Sequence, residues 1–304
     1  MRLVELTAGE VHRAIQMGQF RLCIGYLTLK ISSLLPEFIA ALRQLYAHYP
    51  VSITGGGYDY DIDISPPSLI RRWFRRNASF HLSGDAPFLP MEVGHSQALF
   101  EWGLNWTIGS YAHHLLILHS AVVEMNGCGV LLAAVSGSGK STLAAELSLQ
   151  GWRLLSDELA LIDRDLRLIP CARPVSLKNQ SIDVIRSRHP AAVFGPYAHD
   201  THKGTIAHIL APTSSVDRNL ETVAPRLIIF PKWAANSPLR VEAVGSGQTA
   251  LRLIDQSFNY PLLGRQGFDR LADLVEAAEA WDVEYSSLDD ARSALEQLVD
   301  ERGR

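Results

Sequence analysis

The run Ser136-Gly137-Ser138-Gly139-Lys140-Ser141-Thr142 narrows what this chain can fold into more than any other feature. Converging backbone N–H groups on a phosphate requires φ > 0 and leaves no room for a Cβ, and Gly137 and Gly139 meet both demands. Lys140 adds a cation for the β- and γ-phosphates and Ser141 a hydroxyl for Mg²⁺. A helix starting there aims its positive end at the same anion. The usual pattern, G-x-x-x-x-G-K-[ST], begins with glycine where this chain has Ala134, a small change at a strand end. Residues 130–135 form a β-type run leading into the loop, and residues 142–149 have a helical pattern that stops at Gly151. Strand, loop and helix therefore come in the order a nucleotide site needs. On these residues the chain binds a nucleoside triphosphate, in the simplest case ATP with Mg²⁺, through residues 136–142; the reaction stays open.

Bulk properties remove other classes. A chain of 304 residues makes one large α/β domain or two modest ones. With 47% hydrophobic and 20% charged residues it belongs among folded globular proteins. A net charge of -4, with both signs mixed along the chain, provides no field for nucleic acid or an anionic membrane. Cys23, Cys128 and Cys171 are scattered, without zinc spacing or disulfide density, which fits a reducing cytoplasm. The first residues lack the basic and apolar regions of a secretory signal. The most apolar stretches fall far short of the ~20 residues that cross a bilayer, so no membrane partner is expected.

Periodicity gives a coarse map. Leu27, Leu29 and Ile31 alternate with polar residues like a half-buried strand, and Leu35, Phe38, Ile39, Leu42 and Leu45 form a helical stripe with Pro36 in its first turn. Gly55-Gly56-Gly57 is a connector, and residues 58–64 alternate like an edge strand. The basic segment with Arg71, Arg72, Arg75 and Arg76 reads better as a solvated helix face than as a phosphate-facing patch. A helix is expected over 96–110. Residues 115–124 and 130–135 are β runs hinged at Asn126-Gly127. Short strands follow at 152–156, 159–162, 166–169 and 227–230, helices at 247–257, 268–280 and 288–299, and a strand at 283–285. The expected organisation is an N-terminal α+β accessory region over 1–95 and an α/β catalytic domain over 96–304.

The strand over 152–156 ends in Asp157-Glu158 immediately after the loop's helix, much earlier than the strand-end aspartate of most P-loop NTPases. An acid there can face the γ-phosphate. Leu118-His119-Ser120-Ala121-Val122-Val123, the glycine loop, and residues 155–162 resemble the catalytic core of the HPr serine kinases. Val175-Ser176-Leu177-Lys178-Asn179 and His202-Lys203-Gly204-Thr205-Ile206-Ala207-His208 are similar to the divergent branch called HPr kinase-related kinase A. The resemblance spans roughly residues 100–300, and the N-terminal region carries no such motif.

That resemblance implies a P-loop kinase core of the HPr kinase and phosphoenolpyruvate carboxykinase type, and transfer of the γ-phosphate of ATP to a serine-type hydroxyl. Asp157 matches the acid that takes the hydroxyl proton, Lys140 stabilises charge on the transferred group, and His119 matches a histidine that orients the acid. Glu158, in place of a second aspartate, and Ser141 are the expected Mg²⁺ ligands. Two departures stand out: Ser120 follows His119 where the family has glycine, and Thr201-His202-Lys203-Gly204 replaces a Glu-x-Arg-Gly region. The second loses a metal-linked glutamate but keeps in Lys203 a cation for phosphate or substrate. His199, Asp200, His202 and Lys203 read as a mobile polar segment; zinc is disfavoured by the spacing of the histidines. The expected acceptor is a peptide or small protein, as in a peptide-tailoring kinase. A small-molecule hydroxyl or a nucleotide-dependent switch without phosphotransfer are the alternatives. Members of the parent family often form hexamers, so a homo-oligomer is compatible with the resemblance, but the divergent C-terminal helices do not carry that state over.

Overall fold

The structure, a computed structural model, describes residues 1–68, 76–135 and 137–302. Ser136 of the glycine loop and Arg71, Arg72 and Arg75 lie outside the described residues. The first half of the chain runs α1 (Ala8–Gln16), β1 (Arg21–Ile24), β2 (Leu27–Ser33), α2 (Pro36–Leu45), β3 (Val51–Ser52), β4 (Tyr60–Ser65), β5 (Asn77–Leu82), β6 (Met91–Glu92), α3 (Ser96–Tyr111), β7 (Leu116–Leu118), β8 (Ser120–Met125), β9 (Cys128–Ala133) and α4 (Lys140–Leu149). It continues with β10 (Arg153–Ser156), β11 (Ala160–Ile162), β12 (Leu168–Ile169), β13 (Val175–Lys178), α5 (Gln180–Arg188), β14 (Ala198–Thr201), β15 (Gly204–Ile209) and α6 (Thr213–Asp217). The last stretch is β16 (Pro225–Trp233), β17 (Arg240–Val244), α7 (Ser246–Asp255), α8 (Tyr260–Leu263), α9 (Arg265–Ala277), β18 (Glu279–Tyr285) and α10 (Leu288–Arg302).

The chain is thus a mixed α/β protein with several sheets. It forms two compact units, one of residues 1–107 and 176–217, the other of residues 108–175 and 218–304. The division falls inside α3 and sends 176–217 to the N-terminal unit, so it does not coincide with a boundary at residue 95. Among the described residues no helix is long and apolar enough to cross a membrane.

In the first unit a six-stranded sheet has the order β3-β1-β2-β4-β5-β6. Pro36 occupies the first turn of α2, where its missing N–H costs nothing. From α2, Phe38 packs edge-on against Phe100 of α3, with ring centroids 5.4 Å apart. The Asp-rich alternating run expected at an edge is β4, and it lies inside the sheet, parallel to β2 and antiparallel to β5. An interior strand tolerates that polar face because its charges are met across the ladder. Asp61 pairs with Lys30 at 2.6 Å, and Asp63 lies 3.6 Å from His81, each at a directly opposite position. Burial, the largest influence on it, raises the Asp63 carboxyl above its ordinary range.

In the second unit the sheet order is β10-β8-β9-β16-β18-β17. The β8–β9 hairpin turns at Asn126 and Gly127, with φ of 54° and 78°, as a two-residue turn that matches strand twist requires. β16 runs parallel to both β9 and β18. Val122, Leu131, Ile228 and Phe230 share a core with Leu253 of α7 and Leu271 and Leu274 of α9. The residues alternating with them, such as Val123, Val130, Leu132 and Ile229, are also buried, so the central strands are covered on both faces and read as continuous apolar runs. A three-stranded sheet, β12-β11-β7, adjoins in sequence. Where the chain leaves this unit and where it returns, Asn219 joins the two ends: its Oδ1 accepts the Ala172 N–H at 2.9 Å and its Nδ2 donates to the Ala172 carbonyl at 3.4 Å.

Candidate active site

The glycine loop connects the end of β9 to α4. Gly137 and Gly139 have φ of 89° and 94°, the left-handed region that side chains disfavour. A Cβ on Gly137 would meet nothing within 4 Å, whereas one on Gly139 would lie 2.9 Å from the Tyr285 hydroxyl and 3.0 Å from Trp233 Cβ. One side of the loop is therefore open and the other rests on the ends of β16 and β18. The Trp233 N–H donates to the Ser138 carbonyl at 2.8 Å and pins that second side. Gly139, as N-cap, offers α4 no side-chain acceptor, and the Leu143 N–H donates back to its carbonyl at 2.9 Å. The earlier first-turn amides, including those of Ser141 and Thr142, have no acceptor within the helix. An open glycine concavity ending in first-turn amides suits an anion.

Lys140 is buried, and its Nζ donates to the His119 carbonyl at 3.3 Å. His119 sits between β7 and β8, where the chain passes from the three-stranded sheet into the six-stranded one. Asp157 and Glu158 sit at the matching passage between β10 and β11. After a bulge between Leu154 and Ser156, the end of the β10–β8 ladder is in register with the β11–β7 ladder, with Ser156 opposite Val122 and Ala160 opposite Leu118, so the two passages face each other. The Leu159 N–H donates to Ser156 Oγ at 3.1 Å and closes the acidic turn. Across the passage, His119 Nε2 lies 3.2 Å from Glu158 Oε2.

This pairing adds a contact that the sequence did not show. Glu158 meets the histidine, while Asp157, beside it in the acidic turn, is buried at 5% exposed. The His119 backbone N–H donates to the Gln256 carbonyl at 2.7 Å and its ring lies 5.9 Å from that of Phe258, which fixes the imidazole from behind. Lys140, His119 and Glu158 are thus linked by contacts, with Asp157 adjacent in the chain. Ser141, Glu158 and Asp157 offer only oxygen ligands, which suits Mg²⁺, an ion that takes one or two carboxylates and fills its octahedron with phosphate and water oxygens. Among the described residues no group of three or more His, Cys, Asp or Glu side chains is placed to hold a metal alone.

Lys203 belongs to the other unit. It occupies the turn of the β14–β15 hairpin, so His199 and Asp200 are strand residues of a two-stranded ribbon. Its Nζ lies 5.9 Å over the Trp102 ring, and the His202 ring is 5.3 Å from the same indole. Asn179, which the sequence offered only as the end of the 175–179 motif, holds the turn: its Oδ1 accepts the Thr205 N–H at 3.0 Å and its Nδ2 donates to the Lys203 carbonyl at 3.2 Å. A Cβ on Gly204, at φ 83°, would collide with that Oδ1. Gly204→Ala is expected to cost about 1–3 kcal/mol by forcing a strained backbone against the amide. Chemical denaturation measures the loss, and an unchanged midpoint would remove the clamp from consideration.

No protein-family model matches the chain, and no curated protein matches it. Among solved structures, the HPr(Ser) kinase/phosphatase from Coxiella burnetii is similar at 14% sequence identity and a TM-score of 0.25, over 61% of this chain and 95% of that one. The geometry of the loop and of the facing passages stands independently of that likeness.

Proposed function

We propose that the chain is an ATP- and Mg²⁺-dependent kinase that transfers the γ-phosphate to a serine-type hydroxyl of a peptide or small protein, with its catalytic machinery within residues 96–304. One observation carries this reading: a glycine loop open on its phosphate side is tied through Lys140 and His119 to an acidic turn at the facing passage. Nucleotide binding alone would need the loop and no acid.

Residues 136–142 would hold the phosphates, with Lys140 neutralising charge on the group in flight. Ser141 and Glu158 would hold Mg²⁺, which supplies further charge neutralisation when bound. His119 fixes Glu158, which keeps that carboxylate aimed and leaves Asp157 to take the proton of the acceptor hydroxyl. Lys203 is assigned to phosphate or substrate contact on the sequence resemblance alone.

The test incubates the full chain with γ-labelled ATP, Mg²⁺ and candidate peptides encoded beside the gene, followed by mass spectrometry of the acceptor. Asp157→Asn is expected to slow transfer about 100-fold or more while nucleotide affinity largely survives. Transfer at the wild-type rate would remove Asp157 as the base. Label on a small molecule and on no peptide would move the reading to a small-molecule kinase. Partner binding that needs ATP, persists with a non-hydrolysable analogue and moves no label would replace the kinase by a switch.

A further inference from the structure

Tyr285, the last residue of β18, is 1% exposed and its side chain reaches the glycine loop from below. Its hydroxyl would lie 2.9 Å from a Cβ on Gly139, yet it has no hydrogen-bond partner among the described residues. The Ser138 hydroxyl, in the loop itself, is equally buried and equally without a partner among them. A buried O–H left unbonded forfeits its hydration, so native proteins leave few of them without a use in some state of the molecule.

The backbone indicates that use. In a trans peptide the N–H and C=O point in opposite directions. When the loop turns its N–H groups toward phosphate oxygens on the open side, carbonyls of the same peptide planes turn toward the protein. Any carbonyl that becomes buried there needs a donor. The Ser138 and Gly139 carbonyls are already met by the Trp233 and Leu143 N–H groups. Burial holds the Tyr285 phenol above the usual tyrosine range, so at neutral pH it keeps its proton and can donate.

We propose that Tyr285 is a positioning residue of the loop: its buried O–H is the donor for a loop carbonyl that turns inward when the loop closes on the phosphates of a nucleotide. The inference rests on the nucleotide-binding reading above and adds to it a residue from the far end of the sheet. It makes ligand-free and ligand-bound states respond differently to loss of one oxygen. Phenylalanine keeps the ring and its packing, so a merely structural role for Tyr285 would survive the exchange in both states.

The experiment compares wild type with Tyr285→Phe as full chains, by thermal unfolding without ligand and by calorimetric titration with MgADP and a non-hydrolysable MgATP analogue. The expected result is a ligand-free midpoint equal to or above wild type together with about a tenfold loss of nucleotide affinity, the size of one hydrogen bond. Wild-type affinity in Tyr285→Phe overturns the inference while leaving the nucleotide reading intact. A lowered ligand-free midpoint, or failure to fold, also overturns it, because the hydroxyl would then already be bonded in the empty protein. A wild-type chain that binds neither nucleotide overturns the nucleotide reading and this inference with it.

Discussion

Gly139→Ala is expected to abolish measurable nucleotide binding and to destabilise the protein by about 2–5 kcal/mol. Two costs add. Alanine at φ 94° carries a strained backbone worth about 1–3 kcal/mol. Its Cβ also meets the Tyr285 hydroxyl at 2.9 Å and Trp233 Cβ at 3.0 Å, an overpacking that typically costs about 1–3 kcal/mol. The loop cannot slide away cheaply, since the Trp233 N–H bond to the Ser138 carbonyl holds it on that side. Gly137→Ala is the control: at φ 89° it has the backbone cost, but its Cβ would project into open space. Thermal unfolding should therefore separate the two variants, while titration with a non-hydrolysable MgATP analogue should show binding lost in both. Wild-type affinity in Gly139→Ala would mean that residues 136–142 do not form the phosphate cradle.

Arg153→Met is expected to lower stability by about 3 kcal/mol without touching the loop. Arg153 and Glu124 are 5% and 6% exposed at the side chain and lie 3.3 Å apart across the β10–β8 ladder. The same guanidinium donates to the Arg218 carbonyl at 3.0 Å and to the Glu221 carbonyl, so it ties the returning chain to the sheet. Burial, followed by repulsion from Arg218, holds Arg153 below its ordinary range, which marks the desolvation the charge sustains. Removing one member of a buried pair usually costs about 3–5 kcal/mol. The low end applies because Arg218, 44% exposed, still reaches Glu124 at 3.2 Å. Urea denaturation measures the loss, and adding Glu124→Leu should recover part of it by removing the stranded carboxylate. A single variant as stable as wild type would show that the ion pair holds nothing in place.

The elements around the loop were legible because local signals agree there. Asn126-Gly127 marks the hairpin, glycines mark the loop, and apolar runs mark β8, β9 and β16. Two features needed the fold. His119 interrupts what reads as one apolar run over 115–124, and periodicity cannot show that the chain changes sheets at that residue. Only the pairing of the two ladders, including the bulge in β10, puts the histidine across from the acidic turn, and so the Glu158 contact was out of reach of spacing alone. β4 was misplaced for a related reason: Asp61 and Asp63 look solvated until Lys30 and His81 are found opposite them. Residues 176–217 join the N-terminal unit through long-range contacts such as Gln44 Nε2 donating to the Phe194 carbonyl at 2.8 Å, which no short window contains. Tyr285 carries no mark in sequence; its interest comes from an oxygen left unbonded beneath a glycine.

The knot that Asn219 makes with Ala172 has a consequence for how such a chain can evolve. Because exit and return are fastened side by side within one unit, the stretch from 176 to 217 behaves as a cassette inserted at a single address. Fastening the ends makes the closure itself insensitive to the cassette's length, since the entropy of closing a loop grows only with the logarithm of that length, while the contents stay bound by their packing in the N-terminal unit. The strand order of the sheet beneath the glycine loop does not depend on what the cassette contains. Changes confined to the cassette therefore fall on the contacts it makes in the N-terminal unit and leave the pairing of β8, β9 and β16 beside the glycine loop as it is.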